Sequence, residues 1–133
     1  MNLYVIRHGQ IDNNVNRIIA SFTEVDLNEI GIEQAKEASK ELNNIDYDVV
    51  FCSPQKRTRT TMKIVNVKNK KVIYDNRLKE RNAGKLEGKS AIGIDLDDYW
   101  NFYSVNIYES AESLDSLFKR VYDFIDELKN NDE

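Results

Sequence analysis

The 133-residue sequence predicts an α/β fold, a three-layer α/β/α sandwich on a mostly parallel sheet. Two observations support that prediction. Short apolar, β-branched runs at 3–6, 48–52 and 72–74 alternate with stretches whose apolar residues recur every three or four positions. Each of the first two runs also stops abruptly, at Arg7-His8-Gly9 and at Ser53-Pro54. A β-α-β-α-β order calls for parallel strands, right-handed crossovers and helices on both faces of the sheet.

The elements follow in order. Leu3-Tyr4-Val5-Ile6 reads as a buried strand, and Gly9 lets the chain turn at its end. Residues 10–26 are polar and irregular, a loop with room for one helical turn. Asn28 suits an N-cap, and Ala35, Ala38, Leu42 and Ile45 mark one face of a helix ending near Asn43-Asn44. A second strand at 48–52 leads into a helix with Ser53 as N-cap and Pro54 at its first position. A basic run at 67–71 precedes the third strand. Residues 77–88 read as a loop and the aromatic-rich 91–108 as a partly helical lid. Ser113 caps a last helix whose apolar face is Leu114, Leu117, Val121, Phe124 and Leu128.

Composition narrows the function classes. The chain has one core's worth of residues, 41% hydrophobic and 32% charged, so a single domain over 1–133 is expected. A net charge of −4 gives no global attraction to nucleic acid or to an anionic membrane. One cysteine, Cys52, excludes an internal disulfide, and a total of one histidine and one cysteine makes a zinc site a poor fit. No basic, apolar leader opens the chain and no run approaches the ~20 apolar residues of a membrane span, so a reducing, cytoplasmic setting is expected.

The chemistry-bearing residues lie at strand ends. The only histidine, His8, and its neighbour Arg7 stand at the carboxyl end of a strand, where open α/β sheets bind ligands. Arg57 falls in the first turn of a helix that begins at another strand's carboxyl end, where free N–H groups favour an anion. Taken singly, each has a plainer reading: a hydrogen-bonded structural histidine, a surface arginine, a solvated loop acid at Glu80. Taken jointly, four motifs appear in sequence. They are Arg7-His8-Gly9, Leu27-x-x-x-Gly31-x-x-Gln34-Ala35, Ser53-Pro54-x-x-Arg57, and Leu78-x-Glu80-x-x-x-Gly84-x-x-Glu87-Gly88.

This set resembles the histidine phosphatase superfamily, the phosphoglycerate mutase-like proteins, from the first residue to about Leu128. The resemblance implies a phosphoglycerate mutase-like fold and phosphomonoester hydrolysis of a small phosphorylated metabolite. It implies that His8 is the nucleophile and becomes phosphorylated, that Arg7 and Arg57 bind the phosphoryl group with Asn14 assisting, and that Glu80 is the general acid. Arg81 matches a second substrate-binding arginine of the mutase branch. Neither cofactor nor metal is called for, since guanidinium forks supply the positive charge a phosphoryl transfer needs. Two alternatives stay open: phosphoglycerate mutase-type transfer, and a non-catalytic phosphate-binding domain.

The sequence also departs from the family pattern. The family has a second catalytic histidine in a later strand, and this chain has His8 alone. The chain ends where that strand is expected, so the sheet is expected to be shortened or incomplete and the domain C-terminally truncated. An exposed apolar edge invites pairing with another chain, so a homodimer covering it stays open beside a shortened gene or a fragment of a longer chain. Ile11 stands where the family commonly has Thr or Ser, so one hydroxyl near the phosphate is missing.

Overall fold

The structure, a computed structural model, describes residues 1–104, 108 and 110–131. Residues 105–107 of the expected lid lie outside the described residues. The elements in chain order are α1 (Asp12–Val15), α2 (Glu29–Leu42), β1 (Val49–Cys52), α3 (Lys56–Val65), β2 (Lys71–Tyr74), α4 (Leu96–Tyr99) and α5 (Leu114–Asn130). Two 3₁₀ turns, Asn76–Leu78 and Gly84–Leu86, shape the segment read as loop. The layered α/β fold is that expected, with a short parallel sheet: β1 pairs with β2 from Val49 opposite Lys71 to Cys52 opposite Tyr74. The two faces of β1 meet different helices. Phe51 packs edge-to-face on Phe124 of α5 at 5.3 Å, and Cys52 is buried on the side of α3.

One element departs from expectation. Residues 3–6 belong to no sheet; among the described residues the sheet has two strands. A strand exists only where a neighbour accepts its N–H groups and donates to its carbonyls. Here β1 pairs with β2 instead. Leu3, Tyr4, Val5 and Ile6 therefore stay 46–80% exposed.

Local capping follows the sequence closely. Asn28 Oδ1 accepts from Gly31 N–H at 2.8 Å to open α2, which closes at Asn43. Ser113 Oγ accepts from Ser116 N–H at 3.1 Å to open α5. The start of α3 is corrected: the N-cap is Gln55, not Ser53, and Pro54 precedes the helix. Gln55 keeps extended backbone because its side chain is drawn inward, 3% exposed, to hydrogen bonds described below.

The central apolar cluster lies between α2, α3 and the first loop rather than under a broad sheet. It comprises Ile11, Leu27, Ala35 and Val65, flanked by Ile32, Leu42 and Ile64. Ile11 is 1% exposed, so the residue lacking the family's hydroxyl is a core anchor. Among the described residues no helix is long and apolar enough to cross a membrane.

Two glycines set how closely the Arg-His-Gly turn approaches α2. A Cβ on Gly9 would lie 2.4 Å from the Gly31 carbonyl oxygen, and one on Gly31 would lie 2.2 Å from that of Gln10. Gly9 has no positive φ, so close approach rather than sharp turning is what demands glycine there. Gly31→Ala is accordingly expected to cost about 1–3 kcal/mol, the usual range for overpacking a tight contact. Val5→Lys, at an 80% exposed position, is expected to leave stability within about 0.5 kcal/mol. Urea unfolding of the two variants checks both values.

Candidate active site

The Arg-His-Gly turn is held by side chains of two helices. Gly9 N–H donates to Thr61 Oγ1 at 3.1 Å, and that hydroxyl donates to the Arg57 carbonyl at 2.9 Å, both within α3. Gln10 N–H donates to Gln34 Oε1 of α2 at 2.9 Å. This explains the second motif residue by residue. Leu27 and Ala35 fill the core, Gly31 permits the approach, and Gln34 fastens the turn.

His8 is half-buried and its tautomer is set by its partner. Nδ1 lies 2.6 Å from the Gly9 carbonyl oxygen. A carbonyl only accepts, so Nδ1 carries the proton and Nε2 presents a lone pair. Burial chiefly holds the pKa of His8 below 6.5; the Gly9 hydrogen bond opposes this, the Arg57 and Arg7 cations reinforce it, and Glu80 opposes it. Both arginines and the glutamate therefore lie within electrostatic reach of the ring.

Arg57 is 2% exposed. Its guanidinium donates to two backbone carbonyls, Ser21 at 2.7 Å and Thr23 at 3.2 Å. Burial works against its charge, and the fields of Glu80, Glu87 and Glu24 restore part of what is lost. The contrast with other arginines is informative. Arg59 pairs with Glu24, Arg77 with Asp75 and Glu127, and Arg120 with Glu112. Arg57 is oriented by dipoles instead, so its positive charge is left for an anion. Arg7 is exposed.

Glu80 is fixed through its backbone from both sides. Its N–H donates to Gln55 Oε1 at 3.1 Å, and its carbonyl accepts from Arg120 Nη2 at 3.1 Å. The same Arg120 donates to the carbonyls of Arg77 and Lys79, each at 2.7 Å. The structure thus sets Arg7, Arg57 and Glu80 within electrostatic reach of His8. The other two expected residues are each partly engaged by other groups. Asn14 Oδ1 accepts from Ile11 N–H at 3.1 Å and caps its own helical turn. Arg81, 6% exposed, donates to the carbonyls of Tyr99 and Glu112 and lies 3.9 Å above the Tyr99 ring.

Sequence reasoning missed the residues that support the site: Ser21, Thr23, Gln55, Thr61, Glu87 and Arg120. Glu87 alone carried a signal, as the second acid of its motif. Its carboxylate accepts from the N–H and hydroxyl groups of both Ser21 and Thr23, the amides at 2.9–3.0 Å. Partial burial disfavours its charge, yet those donors outweigh burial and hold its pKa down to about 2.

This chain belongs to the histidine phosphatase superfamily (branch 1), which it matches over residues 3–133. It is 37% identical to the 2,3-bisphosphoglycerate-dependent phosphoglycerate mutase of Thermoplasma acidophilum, over 91% of this chain and 62% of that protein. It is 29% identical to phosphoserine phosphatase 1 of Hydrogenobacter thermophilus, over 97% of this chain and 64% of that one. The α-ribazole phosphatase structure from Shigella flexneri superposes with a TM-score of 0.80 at 27% identity, covering 94% of this chain and 65% of the other. The chain thus spans somewhat under two thirds of the length of these relatives.

The depressed pKa of Glu87 makes a statement about acid stability. A carboxyl at about 2 when folded and about 4.5 when unfolded stabilises the fold fully above pH 4.5 and loses that contribution as pH falls towards 2. The stability gap between wild type and Glu87→Gln, read from urea midpoints, is expected to be widest above pH 4.5. It should close across that window.

Proposed function

We propose that the protein is a phosphomonoesterase acting on a small phosphorylated metabolite through a phosphohistidine. The observation that carries this reading is a buried, carbonyl-oriented guanidinium within electrostatic reach of a histidine whose Nε2 is left as a lone pair. His8 Nε2 attacks phosphorus, the N–P bond forms, and the P–O bond to the leaving alkoxide breaks. Glu80 delivers a proton to that alkoxide. Water then attacks phosphorus, Glu80 takes the water's proton, and the N–P bond breaks to release inorganic phosphate and neutral His8. Arg57 and Arg7 hold the equatorial oxygens, where phosphoryl transfer concentrates charge. Asn14 assists through its amide N–H₂, its oxygen being engaged by Ile11. Arg81 assists substrate binding, with its Nε and Nη1 engaged by the Glu112 and Tyr99 carbonyls.

Relatives named for phosphoserine and α-ribazole phosphatases support hydrolysis. The relative named as a phosphoglycerate mutase favours a second reading, transfer between positions on one substrate. Product isomers formed without free phosphate would select the second reading.

Incubation with p-nitrophenyl phosphate is expected to leave an acid-labile phosphate on His8, absent from His8→Ala. An equally active His8→Ala protein would sink the proposal. Arg57→Lys keeps the charge but loses the fork, and kcat/KM is expected to fall about 10²–10³-fold, as for loss of one preorganised donor.

The pH profile gives an independent check. Because the pKa of His8 is lowered, the neutral imidazole persists below pH 6.5, so the acid limb of kcat/KM should lie below that value. Removing the Arg7 cation in Arg7→Gln should move the limb upward, towards 6.5.

A further inference from the structure

The geometry points to Glu87 as a positioning residue for Arg57, acting through the backbone of residues 21–23. The inference rests on the reading that Arg57 binds the phosphoryl group. The carbonyls that orient the Arg57 guanidinium belong to Ser21 and Thr23, and the amides and hydroxyls of these same two residues are gathered by the Glu87 carboxylate. Each residue therefore hands its donors to Glu87 and its carbonyl to Arg57. An acid and a base communicate through two peptide units without touching.

The connection is rigid for identifiable reasons. Ser21 is 1% exposed, and its hydroxyl also accepts from Ala83 N–H at 3.0 Å. Gln55 Nε2 donates to the same Ser21 carbonyl that Arg57 uses. The preceding residues are zipped to the chain around Glu87: Gly88 N–H donates to the Ile19 carbonyl at 2.8 Å, and Ala91 N–H to that of Arg17 at 2.7 Å. Loss of the Glu87 charge would weaken its bonds to four donors at once and loosen the aim of both carbonyls, that of Thr23 most, because Gln55 also holds the Ser21 carbonyl.

The separation between the two charged groups is useful in itself. A carboxylate bonded directly to Arg57 would compete with an incoming phosphate for the guanidinium fork. Placed one peptide layer away, Glu87 fixes the fork's direction and leaves its remaining donors unengaged by acid. Glu87 is not a proton donor for the reaction, because four donors already occupy its two oxygens.

The test is a double-variant cycle read by orthovanadate titration calorimetry, with Tm measured for each protein. The proteins are the 133-residue wild type, Glu87→Gln, Arg57→Lys and the double variant. Glu87→Gln is expected to weaken vanadate about tenfold, the lower end of what loss of an orienting outer partner costs. In the Arg57→Lys background the same change should weaken it no further, while lowering Tm in both backgrounds. Unchanged vanadate affinity with a lowered Tm would make Glu87 purely structural and overturn the inference. So would an equal loss of affinity in both backgrounds. A wild-type protein that binds no vanadate would instead overturn the phosphate-binding reading on which the inference stands. If Glu87→Gln does not fold, Thr23→Val removes one hydroxyl donor and keeps the Thr23 carbonyl; the same cycle should then show the same coupling by a smaller factor.

Discussion

Gly9 N–H meets the Thr61 hydroxyl while its α-carbon lies against the Gly31 carbonyl, and this double contact locates everything else in the site. Backbone groups in so tight a contact have no room for a Cβ, and an unpaired buried amide there would cost about 1–3 kcal/mol. The consequence is that His8 is registered to two helices. Its position does not depend on a sheet neighbour for residues 3–6, which have none among the described residues. Because Thr61 lies one helical turn after Arg57 and bonds its carbonyl, the contact that places His8 also places the arginine.

Charge is organised in layers around that point. Nearest are the histidine and the cations that, together with burial, disfavour its protonation. Next come neutral dipoles: the Ser21 and Thr23 carbonyls on Arg57, and the Gly9 carbonyl on His8. Beyond these lies Glu87, with hydroxyls and amides between it and the guanidinium. Buried ion pairs neutralise each other and remove both charges from use; dipoles orient a charge and leave it available. Arginines that hold the fold follow the other rule. Arg120 pairs with Glu112 and gathers the carbonyls on which Glu80 depends.

The aromatic-rich segment after residue 91 is tied down in a similar way. Arg81 follows Glu80 directly, and its guanidinium is clamped between backbone carbonyls and the faces of Tyr99 and Trp100. Tyr99 is buried although the segment is otherwise well exposed, with Tyr103 at 87%. Two rings of the aromatic run, Tyr99 and Trp100, thus pack on the residue next to the acid.

What the sequence determined by itself is everything governed by neighbours along the chain. The caps at Asn28 and Ser113, the amphipathic faces of α2 and α5, the β1 and β2 runs, and each of the motifs that name the family rest on spacings of one to four residues between successive positions. The Gln55 start of α3 escaped because its side chain answers to Ser21 and Glu80, 34 and 25 residues away. Only the tertiary structure decided that 3–6 pairs with no strand among the described residues, that Ile11 is a core anchor, and that Glu87 and Arg57 share one loop. These outcomes depend on hydrogen-bond partners brought together from distant parts of the chain, and local propensity carries no information about which distant group will be there to accept.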